Sequence, residues 1–196
     1  MERGALVCAT NALLQFPYAP LLEYDLNVSL TGQSGNQVVS FSLVKNGHRF
    51  LLSLRSCENR FAGLSYINGQ WALNNATRTE FSLENGRKYD LNVKVRKDSV
   101  QVLVDGKQLF EHKSDGTDFL AERDWCTPNE SAIGIKTDRA MQFERIEVVD
   151  VSGKGQPLAV KRADDGGFFV QPCRPKPNAR RPQPKRIVSI METMSQ

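Results

Sequence analysis

The sequence has no long apolar run and no sustained helical periodicity. No hydrophobic stretch approaches the roughly 20 residues that cross a bilayer as a helix, so a helical membrane span is excluded. Histidine is scarce: His48 and His112 are the only two, and their spacing forms no local three-ligand set for a metal. Four cysteines (Cys8, Cys57, Cys126 and Cys173) lie far apart without a C-x-x-C pair. That usage suits buried small hydrophobes better than a disulfide framework or a zinc site. Gly153-Lys154-Gly155 runs into Pro157 instead of a helix and so cannot cradle a phosphate. Gly63-Leu64-Ser65-Tyr66-Ile67 lacks the second glycine of a nucleophile elbow. At the start, Arg3 is offset by Glu2 and only Ala5, Leu6 and Val7 precede Cys8, short of the 7–15 apolar residues of a signal peptide. We read no export signal and leave the compartment open.

What is present is an ordinary globular composition, 40% hydrophobic and 24% charged over 196 residues. That length suits one sizeable domain with extensions, large enough to bury a core without covalent staples. Charge is unevenly placed. Residues 171–196 carry Arg174, Lys176, Arg180, Arg181, Lys185 and Arg186 against Glu192, a net +5. The whole chain is +4, so residues 1–170 stand at −1. The basic balance belongs to a tail, which weakens any inference that the domain binds nucleic acid.

The dominant period is two. Tyr89, Leu91, Val93 and Val95 alternate with Asp90, Asn92, Lys94 and Arg96, and Val100, Val102 and Val104 repeat the pattern. Tyr24, Leu26, Val28 and Leu30 alternate likewise, as do Phe50, Leu52 and Leu54 with Arg49, Ser53 and Arg55. Such alternation marks half-buried strands. Asn46-Gly47, Asn68-Gly69, Asn85-Gly86 and Asp105-Gly106 supply turns at strand spacing. The pattern predicts strands near 5–8, 12–16, 24–30, 37–44, 48–55, 62–67, 70–73, 79–82, 89–96, 99–105, 107–112, 131–136 and 142–150. One short helix is expected around Asp118–Asp124. Crossover helices for a parallel sheet are missing. The expected fold is all-β: a two-sheet antiparallel β-sandwich of jelly-roll type with a C-terminal extension.

Three regions follow. Residues 1–151 form the sandwich. Residues 152–171 are a linker with a possible extra hairpin, Leu158–Arg162 and Phe168–Gln171 flanking Asp165-Gly166-Gly167. In residues 172–196 five prolines interleave with the basic side chains up to Arg186, the composition of an extended, disordered tail.

Several phrases carry a resemblance: Leu14 to Val28 (LQFPYAPLLEYDLNV), Ile67 to Gln70 (INGQ), Asn74 to Thr77 (NNAT) and Gly86 to Lys107 (GRKYDLNVKVRKDSVQVLVDGK). Closing pieces are Trp125 to Pro128 (WCTP), Ala132 to Ile135 (AIGI) and Phe143 to Val148 (FERIEV). Residues 5–150 thereby resemble a bacterial domain family of the concanavalin A-like lectin/glucanase superfamily, near 3-keto-disaccharide hydrolase-like domains. The phrase at 86–107 is also similar to laminin G-like domains. The resemblance implies a concanavalin A-like jelly roll, a fold that serves lectins, glucanases and interaction modules alike.

The glucanases of this superfamily carry Glu-x-Asp-x-x-Glu on one strand. Glu23-Tyr24-Asp25 begins that motif, but Asn27 and Val28 follow where the second glutamate belongs. A retaining hydrolase needs both carboxyls, so no catalytic residue is assigned. Sugar binding needs an aromatic platform beside amide or charged hydrogen-bonding groups. Trp71, just past the Asn68-Gly69 turn, with Asn74, Asn75 and Arg78, is the best such cluster and the candidate ligand site. The competing reading packs Trp71 under its loop and uses the asparagines to satisfy turn backbone. Trp125 is expected as a core anchor. A second polar surface is Asp90, Asn92, Lys94 and Arg96, which reads equally as a solvated strand face. Asp115-Gly116-Thr117-Asp118 has the composition of a weak calcium loop; otherwise no metal or cofactor is expected.

The sequence thus points to a non-catalytic binding module from a larger multidomain system, with a glycan or a protein as ligand. The alternative is a glycoside hydrolase acting on 3-keto-glycosides. The basic tail suits an anionic partner, without aromatics for base stacking. Cys173, flanked by cations, is expected to be the most reactive thiol. Oligomeric state is left open.

Overall fold

The computed structural model describes residues 5–33, 35, 37–55, 60–121, 126–159 and 187–189. Cys57, Trp125 and Cys173, the proposed hairpin across 160–171 and the tail up to Arg186 lie outside the described residues.

Alternation becomes two stacked antiparallel sheets. The first runs β1 (Leu6–Cys8), β15 (Met141–Ser152), β4 (Glu23–Gly32), β11 (Lys88–Val95), β12 (Ser99–Val104) and β13 (Lys107–Lys113), with β17 (Ile187–Ser189) also on β15. The second runs β10 (Thr79–Glu80), β7 (Phe61–Leu64), β6 (His48–Arg55), β5 (Val38–Lys45), β14 (Gly134–Thr137) and β2 (Leu13–Gln15). Two small pairs complete the described strands: β3 (Tyr18–Ala19) with β16 (Gln156–Pro157), and β8 (Tyr66–Ile67) with β9 (Gln70–Trp71). This is the expected β-sandwich.

Register explains the core. Val93 of β11 sits between Leu26 of β4 and Val102 of β12, while Phe41 of β5 faces Leu52 of β6. The apolar set of each sheet therefore points at the other. Leu26, Val28, Val93 and Phe143 from one side, with Phe41, Leu43, Leu52 and Leu64 from the other, have no measurable exposure. Closing such a layer removes of order 25 cal/mol per Å² of apolar surface from water, the main drive for the stack.

Asn46-Gly47, Asn68-Gly69 and Asp105-Gly106 each place both residues at positive φ, the two-residue hairpin geometry expected of them. Asn85-Gly86 differs. Only Gly86 is positive, and Arg87 N–H donates to the Glu84 carbonyl across the turn at 3.3 Å, the pattern of a type II turn. The helix expected at Asp118–Asp124 is not formed in its described part: Asp118 lies in a turn, and Phe119 makes an isolated bridge to Ile67. Local composition was ambiguous there, and pairing with the β8 segment decided it. Gln156-Pro157, read as linker, pairs with Tyr18-Ala19 instead.

Candidate functional site

The face of the second sheet turned away from the core differs from an ordinary solvated face. Ser40 faces Ser53 across β5 and β6, and their hydroxyls are 2.9 Å apart. Ser53 continues to Ser65 at 3.3 Å. Ser42, one pair along, is buried and its Oγ has no hydrogen-bond partner.

Two segments lie over this face. Gly134 on β14 leaves no room for a side chain, since a Cβ would fall 2.2 Å from the Leu14 carbonyl and 2.5 Å from the Thr127 methyl. Thr127 therefore packs directly on the sheet, and its hydroxyl donates to the loop carbonyls of Asn129 or Ala132. Arg49 of β6 reaches up to the Thr127 carbonyl at 3.1 Å and to Glu130 at 3.3 Å. On the other side, Gly63 of β7 lies beneath Thr77 and the Arg78 backbone.

The second segment carries the sequence-expected cluster, and the structure gives its members different places. Trp71 is half-buried and meets Phe61 edge-on, ring centroids 6.2 Å apart. Asn75 is buried, and its side chain is fully used. Its amide nitrogen donates to the Leu64 and Gln70 carbonyls at 2.8 and 3.2 Å, and its Oδ1 accepts from the Thr77 backbone and hydroxyl. Thr77 Oγ1 also accepts from Leu64 N–H. Asn75 thus ties the Trp71 loop to β7. Asn74 and Arg78 are exposed on the loop that follows Trp71.

Sequence reasoning missed Arg55. It ends β6, one step beyond the Leu54–Ala62 pair and hence opposite Phe61. Its guanidinium carbon lies 5.5 Å from the Phe61 ring centroid and 5.7 Å from that of Trp71. Its Nε is shut off from solvent and has no hydrogen-bond partner. The signal in the sequence was slight: Arg55 shares its strand face with Arg49, Leu51 and Ser53. Nothing local showed that residues 61 and 71 would converge on it. Together Trp71, Phe61 and Arg55 form a cation held against two aromatic rings.

The Trp71 hairpin is held from outside the sheet. Asn68 N–H donates to the Asp118 carbonyl at 2.8 Å. Asp118 Oδ2 meets His112 Nε2 at 2.7 Å, and its Oδ1 accepts from the Ser114 hydroxyl. Burial pushes the Asp118 carboxyl up, yet the bonds from Ser114 and His112 outweigh it and hold it below the usual carboxylate value. Asp115 accepts from the Thr117 backbone and hydroxyl, which lower it also. The two carboxylates of the calcium-like segment are thus each engaged within the protein. Among the described residues no three His, Cys, Asp or Glu side chains gather as a metal site.

The truncated glucanase motif lies on the first sheet. Glu23 accepts from Lys97 N–H at 2.8 Å, and Asp25 pairs with Arg96 at 2.6 Å. Asn92 donates to Asn27 at 2.6 Å, and Asp90 accepts from Ser29. This second polar face is a cross-linked ladder, with Lys94 opposite Asp25.

Residues 25–118 match the model of the galactoside-binding lectin family. No curated protein matches the chain. Among solved structures, A. japonicus CB05 superposes with TM-score 0.52 at 16% identity, over 74% of this chain and 25% of that one. The fructosyltransferase from A. japonicus gives TM-score 0.50 at 17% identity, again over 74% and 25%. Sheep galectin-11 covers 72% of this chain and 99% of its own at 12% identity, with TM-score 0.46. The matched family model is that of a lectin, and these matches do not support 3-keto-disaccharide hydrolase-like domains as the nearest relatives. The described chain is a two-sheet antiparallel β-sandwich, similar over residues 25–118 to the galactoside-binding lectin family.

Proposed function

We propose that this protein is a non-catalytic carbohydrate-binding module whose sugar site is the outer face of the six-stranded sheet at Trp71. The observation that carries the reading is the half-buried Trp71 ring, fixed beside Phe61 and the Arg55 guanidinium by a loop that Asn75 ties down. A pyranose presents an apolar face to such a ring and hydroxyls to the flanking polar groups, here Asn74 and Arg78. Asn75 acts by positioning the loop, not by touching sugar. The lectin-family match over residues 25–118 supports the same reading.

A glycan array with the whole chain tests it, followed by titration calorimetry on the best ligand. Trp71→Ala is expected to lower affinity tenfold or more while leaving the thermal midpoint within a few degrees. Glycan binding indifferent to that change would remove the site. An empty array would turn the reading to a protein ligand. Turnover of a 3-keto-glucoside, abolished by chelator, would overturn the non-catalytic assignment.

A further inference from the structure

The charge of the site narrows the class of sugar. Arg49, Arg87, Arg96 and Arg145 each face a carboxylate within the 4 Å ion-pair distance: Glu130, Glu84 and Asp105, Asp25, and Asp90 respectively. Arg55 does not. It is half-buried, its Nε is closed to solvent, and among the described residues it makes neither an ion pair nor a hydrogen bond. A guanidinium does not shed its charge in a protein, so this cation is held by two ring faces with no anion to neutralise it. A charge taken out of water and left unpaired is costly, and proteins retain such groups where a ligand supplies the counter-charge. Glu80 is paired with Phe61 on β10 but exposed, and it makes no ion pair with Arg55. Arg78 follows the same loop as an exposed second cation, its backbone over Gly63.

We infer that the saccharide is anionic: a sugar unit stacks on Trp71 while its carboxylate or sulfate group docks on Arg55, with Arg78 at the rim. This deepens the proposed function and rests on it. The planar fork of arginine suits both anions, since each offers two oxygens in the guanidinium plane.

The test compares neutral oligosaccharides with their uronate-bearing and sulfated counterparts, binding being measured by calorimetry on the full chain at low and moderate salt. The anionic members are expected to bind at least tenfold tighter, and the advantage shrinks as salt rises. Whichever of the two series binds tighter identifies the anion. Arg55→Met, which keeps bulk against the rings, is expected to abolish the advantage while retaining neutral binding. Arg55→Lys, with a point charge, should recover part of it. Trp71→Ala weakens both series. Equal affinity for neutral and anionic members, with Arg55→Met silent, would overturn this inference and leave the sugar site standing. An anionic preference that survives Arg55→Met would also overturn it. So would one that disappears when the six basic residues from Arg174 to Arg186 are changed to Gln, because the tail would then be the receptor. Absence of any glycan binding would instead defeat the parent reading. Circular dichroism of each variant separates lost binding from lost fold.

Discussion

Tyr24 carries much local order through one hydroxyl. It is fully buried on β4, donates to the Val44 carbonyl at 2.9 Å and accepts from Val44 N–H at 3.2 Å, tying the first sheet to the second. Tyr24→Phe keeps the ring and orphans both backbone groups, at a cost of about 1–3 kcal/mol in urea unfolding. Burial raises the phenol well above its usual value. Above about pH 10 the unfolded chain ionises this tyrosine while the folded chain holds the proton, so the stabilisation is complete below pH 10 and lost as pH rises further. The gap between wild type and Tyr24→Phe should therefore narrow from about pH 10 upward; a gap constant with pH would contradict the assignment. Tyr24 was legible as an inward residue from its alternation with Glu23 and Asp25, but its partner was not, because Val44 lies 20 residues away. The same limit governed the candidate site. Trp71 and Asn75 stood out by residue type, whereas the division between a half-buried ring and an amide spent on backbone depends on Leu64 and Thr77, visible only after folding.

The Trp71 hairpin is two residues per strand and cannot hold itself, since pairs this short are marginal in water. Its anchor is the 114–120 segment. Asp118 N-terminal to Phe119 accepts from Ser114 and pairs with His112, while Phe119 stacks on Phe50 with centroids 4.8 Å apart. Asp118→Asn should cost about 1–2 kcal/mol, speed amide exchange at Asn68 and weaken sugar affinity several-fold without touching the ligand. Because the folded carboxyl is held below its ordinary value, the stabilisation is present above about pH 4 and lost as pH falls through the lower folded value. Melts between about pH 2.5 and 6 should show wild type converging on Asp118→Asn at the acid end; an unchanged gap would remove the clamp. Strands β11 and β12 were readable because strict alternation with the Asp105-Gly106 turn fixes face and ends, while β5 and β6 were placed by the Asn46-Gly47 turn between two apolar-rich segments. The 118–121 stretch was not, because its structure comes from pairing with Ile67 and not from any period of its own.

At the scale of the whole molecule, β15 organises the closure. One edge pairs along its length with β4, and the other is shared, Leu6–Cys8 covering Met141–Phe143 and Ile187–Ser189 covering Glu147–Val149. The chain's last described strand thus returns to the sheet that its first strand borders. The sequence suggested an extended, disordered tail over residues 172–196, and within it Ile187–Ser189 form β17 on the edge of β15. The ladder of β17 is three residues long, so its hydrogen bonds, each worth about 0.5–1.5 kcal/mol, are largely offset by the entropy of ordering the strand. Truncation after Gln171 should therefore lower global stability by only about 1 kcal/mol while leaving the β15 edge open. Open edges recruit other strands, so the truncated chain should also self-associate at high concentration where the full chain does not. Hydrogen exchange localises the effect: faster exchange within Glu147–Val149, with Leu91–Val95 unchanged. Thiol labelling supplies a second readout, because Cys8 and Cys126 are buried and should react slowly in both forms. If truncation instead collapses the melting temperature and exposes Cys8, the C-terminal strand is integral to the sandwich. If exchange at Glu147–Val149 is indifferent to truncation, the β15–β17 ladder does not persist in solution.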